Sequence, residues 1–227
     1  MPVDYVVKIS GKLFTYENAG LIRRYVDVLK SVARDGYRLV VVTGGGPVAR
    51  DYIGFARSAG VESNYWLDRI AIGVSRLNAL LMAAALQPYS YPRPVESLDE
   101  LLAVVEKHSI VVLGGLIPGQ STATVAAEVA EALGVDTIVN AGAIDYVYTK
   151  DPVKHPDAKP LEKVSLDEIT RYIETSSLPG QYQLLDHHAI EIMKRSRIKM
   201  ILTHYKKPEN IEKIIRQKQI TGTIITP

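Results

Sequence analysis

The feature that most narrows what this chain can become is a repeated order. Short apolar β-branched runs each end in a small-residue turn, and an amphipathic segment follows each turn. Residues 3–9 carry Val3, Val6, Val7 and Ile9 and close on Ser10-Gly11. Residues 39–42 read Leu-Val-Val-Val and lead into Gly44-Gly45-Gly46, and residues 110–113 read Ile-Val-Val-Leu and lead into Gly114-Gly115. A strand that is apolar at successive positions needs cover on both faces, which is the condition of a parallel sheet. Strands alternating with helices then imply an α/β chain, a three-layer αβα sandwich with an open, mostly parallel sheet.

Local signals set the remaining elements. Leu21, Ile22, Tyr25, Val26, Leu29, Val32 and Ala33 share one helical face, and Gly36 ends that helix. Pro47 suits the first position of the next helix. Asp68 is placed to cap a long helix reaching about Leu86, stopped by Pro88; its apolar residues lie on nearly every side, so core or subunit interface should bury it. Ser121 or Thr122 can cap a helix ending at Gly134, Ser165 and Glu168 form a capping box, Asp186 can cap another helix, and Pro208 can open the last. Further strands are expected over residues 137–140, 199–203 and 223–226. The polar, proline-containing stretch 148–160 reads as a loop within one domain. The halves about it, 1–135 and 136–227, are expected as two lobes of one sheet.

Composition removes several function classes. Lys and Arg total 27 against 25 Asp and Glu, a formal net charge of +2, without the concentrated basic excess of a nucleic-acid binder. The pairs Lys194-Arg195 and Lys206-Lys207 are expected to be solvated faces. The absence of cysteine rules out disulfides, thiol nucleophiles and thiolate zinc sites. No apolar run approaches the roughly 20 residues that cross a bilayer, and Lys8 interrupts the apolar start, so a cytoplasmic chain without membrane partner is expected.

The candidate chemistry lies at the turns. In open α/β sheets ligands sit beyond the carboxyl ends of the strands, where backbone N–H groups and helix N-termini favour anions. Three turns of this kind follow buried strands here, although glycine also serves close packing. The third, Gly114 to Ser121, has the spacing of a Walker A loop, but Gln120 stands where that motif needs lysine and cannot supply its charge. Lys8 can supply it from the end of the first strand, or it can snorkel to solvent from an edge strand. Arg50 sits early in a helix, where a cation opposes the macrodipole unless it faces a bound anion. Asp145, Asp151 and Asp186 are the acidic candidates, with Asp186 equally suited to a plain cap. His187 and His188 are adjacent and point apart on a helix, which does not suit a metal site.

Together these segments resemble the archaeal-type UMP kinases of the amino acid kinase family over almost the whole chain. Lys8-Ile9-Ser10-Gly11-Lys12 is similar to the family's nucleotide phosphate turn, with Lys8 as the lysine that stabilises the transferring phosphoryl group. Gly44-Gly45-Gly46-Pro47-Val48-Ala49-Arg50 is similar to its GGG-x-x-x-R segment, implying Gly45 at UMP and Gly46 and Arg50 at ATP. The resemblance likewise implies Asp68 at the UMP ribose, and Leu116, Ile117, Pro118, Gly119, Gln120, Ser121 and Thr122 around the UMP phosphate and base. It puts Gly142, Tyr148 and Asp151 at the ATP nucleoside, and Asp186 with Asp145 in the catalytic set. It further implies MgATP and UMP as substrates, phosphoryl transfer as the reaction in pyrimidine nucleotide synthesis, and a homo-oligomer, a hexamer.

Three departures mark this chain. Residues 140–146 read N-A-G-A-I-D-Y where the family usually has A-T-N-V-D-G, so Gly142 and Ala143 lack side chains that could bond the nucleotide. Ala123 stands where many members carry an aspartate that arranges the active-site lysines, shifting that role to Asp145 or Asp186. Residues 203–207 carry no recognised motif. Two other readings remain open at this point. One keeps the fold with isopentenyl phosphate, acetylglutamate or carbamate as acceptor; the other is a nucleotide sensor without turnover.

Overall fold

The computed structural model describes residues 2–150, 155–169 and 184–227. In chain order the elements are β1 (Tyr5–Ile9), α1 (Ala19–Arg34), β2 (Leu39–Thr43), α2 (Gly46–Ser58), α3 (Asn64–Ala85), α4 (Leu98–Val104), β3 (Ile110–Leu113), α5 (Thr122–Leu133) and β4 (Thr137–Gly142). They continue with β5 (Val147–Tyr148), β6 (Pro160–Leu161), β7 (Lys163–Ser165), α6 (Leu166–Ile169), α7 (His187–Arg195), β8 (Lys199–His204), α8 (Glu209–Glu212) and β9 (Thr223–Thr226).

The apolar runs form a seven-stranded sheet in the order β3-β2-β1-β4-β8-β9-β7. The strands from β3 to β8 are parallel, as their unbroken apolar character requires, and β9 turns antiparallel against β8. Alternate residues of each strand feed two cores. Val6, Val42, Ile138 and Leu202 pack with Val129 of α5 and Met193 of α7 on one face. Val7, Val41, Val139 and Ile201 pack with Leu29 of α1 and Met82 of α3 on the other. The expected αβα layering is therefore present, and burying a side chain such as Leu29 contributes about 1.5–3 kcal/mol.

The caps explain where several helices begin and end. Ser121 Oγ accepts from the N–H groups of Ala123 and Thr124 at 3.1 Å each, opening α5, and Gly134 closes it at φ +65°. Asp186 Oδ1 accepts from Ala189 N at 2.8 Å, opening α7. Ser165 and Glu168 form the expected reciprocal box before α6.

Two helices differ from the sequence reading. Asp68 does not cap α3: the helix starts at Asn64, with Trp66 and Leu67 N–H groups bonded to the Ser63 carbonyl at 3.1 Å, so Asp68 lies a turn inside. A helix over residues 98–104 was not expected, although Ser97 Oγ caps it by accepting from Glu100 N at 3.1 Å, and Glu100 Oε2 accepts from Glu96 N, just before the cap, at 3.0 Å. Along α3, Ala79, Met82 and Ala83 enter the core, while Leu77, Leu80 and Leu81 are 64%, 45% and 47% exposed in the single chain. No helix among the described residues is long and apolar enough to cross a membrane.

Candidate active site

Two glycine turns meet back to back beyond the carboxyl ends of β1 and β2. A methyl carbon placed on Gly11 would lie 2.1 Å from Gly46 N, and one on Gly46, at φ +66°, would lie 2.1 Å from Gly11 O. No other residue fits either position. The N-terminus of α5 adjoins the same spot, since a carbon on Gly44 would sit 3.6 Å from Thr122 Oγ1. The N-terminal ends of α2 and α5, each a partial positive charge, thus open beside the end of β1. Ser10 Oγ accepts from Lys12 N at 3.3 Å and shapes the first turn.

The third turn divides its glycines differently. A carbon on Gly114 would lie 2.7 Å from Arg76 N, so this glycine admits the backbone of α3. Gly115 N donates to Ser75 Oγ at 2.8 Å, so that N–H is already committed. Packing, and not anion binding, accounts for these two residues.

Lys8 rises from β1 into the face covered by α5 and α7. It is only 5% exposed and sits inside the sheet with β2 and β4 on either side, which excludes snorkelling from an edge. Its Nζ donates to Asn140 Oδ1 at 3.4 Å. Burial pushes the ammonium pKa down from 10.5 to about 8, and the charge of Asp186 acts in the opposite sense. Asp186 is held firmly: besides capping α7, it accepts from the buried Thr124 hydroxyl at 2.7 and 2.8 Å. The cap reading of Asp186 therefore holds, and its charge also acts on Lys8.

On the side of Asp68, the structure assembles the loop of residues 116–122. Asp68 Oδ2 accepts from Gly119 N at 2.8 Å. Arg76 clamps the base of the loop by donating to Gly115 O at 3.0 Å and Leu116 O at 3.1 Å. Gln120 turns along α5 to donate to Glu128 Oε1 at 2.6 Å. Burial raises the Glu128 carboxyl pKa, with the Gln120 bond opposing that rise. Ile117 stays exposed.

A polar cluster lies at the carboxyl ends of β4 and β8. Asp145 pairs with Lys207 at 3.4 Å, and Lys206 and Lys207 lie exposed as expected. Gly142 O accepts from Tyr205 N at 2.8 Å, and the Tyr146 and Tyr148 rings meet edge to face at 6.4 Å. His204 stacks on Tyr205 at 5.0 Å, and burial lowers its pKa. Burial is also the main cause raising the Tyr148 pKa, followed by the Asp145 charge. Arg50 is exposed early in α2, Gly45 packs against Ala49, and Asp151 lies outside the described residues.

The sequence reading gave no role to Thr124, Arg76, Lys207 or Asn140. A threonine one turn into a helix and an asparagine inside a strand carry no local signal. Only their distant partners identify them.

The sequence model of the amino acid kinase family matches residues 5–204. A protein named uridylate kinase from Staphylothermus marinus is 52% identical over 222 residues, covering 98% of each chain. One of the same name from Hyperthermus butylicus is 44% identical over 221 residues, 97% of each. The crystal structure of uridylate kinase from Archaeoglobus fulgidus superposes with a TM-score of 0.86 at 32% identity, covering 98% of this chain and all of that one.

Proposed function

The chain belongs to the amino acid kinase family, and we propose that it is a UMP kinase, transferring the γ-phosphoryl group of ATP to UMP to give UDP and ADP. Identity of 52% across 98% of both chains with a protein named uridylate kinase carries this reading. It disfavours the other acceptors. Lys8, buried beside two apposed glycine turns, supports phosphoryl chemistry independently of any relative.

Phosphoryl transfer asks a protein mainly for positioning and for charge placed where charge develops. The attacking oxygen belongs to the UMP phosphate and is already ionised near neutral pH, so no general base is needed. As it bonds to the γ-phosphorus, the bond from that phosphorus to the β–γ bridging oxygen breaks and ADP leaves. Lys8 would neutralise the equatorial oxygens, while free N–H groups of the first two turns and the ends of α2 and α5 hold the phosphates. Asp186 keeps Lys8 protonated and oriented. No group of three His, Asp or Glu side chains suited to a metal occurs among the described residues, and the first two turns offer N–H donors. Mg²⁺ would enter on the nucleotide as MgATP and would there neutralise phosphate charge.

Gly45 and Asp68 with residues 116–122 are assigned to UMP, residues 8–12 with Gly46, Arg50, Gly142, Tyr148 and Asp151 to ATP, and Lys8, Asp145 and Asp186 to catalysis. The lobes 1–135 and 136–227 would then divide the two substrates. The exposed Leu77, Leu80 and Leu81 of α3, with Trp66 nearby in sequence, support a homo-oligomer, a hexamer by resemblance. The reaction fits a cytoplasmic role in pyrimidine nucleotide synthesis.

A coupled ADP-release assay with UMP, CMP, isopentenyl phosphate and acetylglutamate tests the proposal. Turnover with UMP is expected. Turnover confined to another acceptor, or none at all, overturns it.

A further inference from the structure

An ammonium buried inside a sheet has to be held by something that leaves its charge available to substrate. Register decides what is beside Lys8. Its partner on β2 is Val42, and its partner on β4 is Asn140, itself opposite Leu202 on β8. Val42 and Leu202 are apolar and fully buried. Of the two cross-strand neighbours of Lys8, Asn140 is thus the one with a polar side chain. It too is fully buried.

A buried amide must satisfy both its ends. Asn140 turns Nδ2 toward Met200 Sδ at 3.4 Å and Oδ1 toward Lys8 Nζ at 3.4 Å. Only that orientation is compatible with a cation beside it, since the reverse would set an N–H donor against an ammonium. Asp186 from α7 acts on Lys8 through its charge and is itself held by the Thr124 hydroxyl of α5.

We propose that Asn140 is a positioning residue for phosphoryl transfer, its carbonyl oxygen holding the Lys8 ammonium in place at the end of β1. A neutral acceptor suits this task better than a second carboxylate would. It orients the ammonium without closing an ion pair that the phosphoryl oxygens would have to break. The proposal rests on the reading of Lys8 as the residue that meets the transferring group.

The test uses Asn140→Leu, which keeps the volume and removes the acceptor, and Asn140→Asp, which keeps the shape and adds charge. In the leucine variant kcat should fall about 10- to 100-fold, the loss expected for one hydrogen bond to a charged group. The KM for UMP should stay within about threefold. The alkaline limb of kcat/KM should move to lower pH by about one unit in the leucine variant and to higher pH in the aspartate variant. Without any substrate, the rise of folding stability between pH 8 and 10.5 should broaden toward lower pH with leucine and shrink with aspartate. Limbs and stability profiles that stay at wild-type positions in both variants would mean that Asn140 only packs. Should the leucine variant not fold, the isosteric aspartate variant carries both measurements alone. Absence of wild-type turnover with UMP would strike the kinase reading, whereas the substrate-free profiles still decide whether Asn140 governs Lys8.

Discussion

Replacing Lys8 by methionine should stabilise the fold at neutral pH while removing its activity. The methionine keeps the unbranched stem and deletes the ammonium. In the folded chain the lysine pKa is pushed from 10.5 down to about 8. At about 1.4 kcal/mol per pH unit, that depression costs the fold about 3 kcal/mol whenever the lysine is protonated in both states. The sign follows from proton counts. Below pH 8 folded and unfolded lysine are both charged and the full cost is present. Between pH 8 and 10.5 the folded chain has released the proton and the unfolded chain retains it, so stability rises with pH. Methionine removes the cost but strands the Asn140 carbonyl, which returns about 1 kcal/mol. The net expectation is about 2 kcal/mol of added stability at pH 7, vanishing and then reversing by about 1 kcal/mol near pH 10.5. Urea denaturation at fixed protomer concentration, run from pH 7 to 10.5, measures the difference directly. The same variant should lose on the order of 100-fold or more in kcat with UMP affinity little changed. A Lys8→Met protein no more stable than wild type at pH 7, with a gap indifferent to pH, would refute the argument that burial sets the state of Lys8.

Thr124→Val deletes the hydroxyl that donates to both oxygens of Asp186; steady-state kinetics should show kcat about 10-fold or more lower with the KM for UMP within about threefold, and an unchanged kcat would mean that the bond is incidental. Gly11→Ala forces a carbon to 2.1 Å from Gly46 N and should lower Tm by many degrees, whereas Gly54→Ala, with nothing within 4 Å, should raise stability by about 0.5–1 kcal/mol; similar thermal melts for the two would contradict the apposed turns. Lys207→Ala breaks the pair with Asp145 and should raise the KM for MgATP severalfold while leaving that for UMP in place. A rise in the UMP value instead would move this cluster to the other substrate.

What could be read in advance follows the range of the signal. The parallel sheet was legible because each central strand carries its own apolar run and its own terminating turn. The caps at Ser121, Asp186 and Ser165 were legible because the N–H groups they satisfy lie within three residues. Helix α4 was overlooked although Ser97 caps it, because 7 residues give too short an apolar stripe to register a period. Asp68 misled for the converse reason. A polar residue before an apolar helical run resembles a cap, but its partner is Gly119 N, 51 residues away. The direction of β9 depends on which end of β8 the intervening chain brings it back to, and no local residue specifies that.

The site shows the same division at the level of single residues. Glycine-rich turns marked the right place, yet one residue type served two purposes there. Gly11 and Gly46 let two backbones touch where phosphates are proposed to bind, whereas Gly114 makes room for α3. Sequence cannot separate these uses, since the distinction lies in which backbone arrives opposite. Lys8 was recognisable as a cation out of place in a strand, but what keeps it serviceable was not: Asn140 comes from 132 positions away, and the Asp186–Thr124 bond joins residues 62 apart. The three partners divide the work in a way that simple charge matching would not suggest. One carboxylate offsets part of the desolvation, one hydroxyl fixes that carboxylate, and one neutral amide orients the ammonium. A second carboxylate at residue 140 would hold Lys8 more tightly and make the fold more stable, but it would spend the positive charge inside the protein. A lysine left costly to bury keeps its strongest interaction for the phosphoryl oxygens, and stability forgone at Lys8 is the expected signature of a cation kept for its substrate.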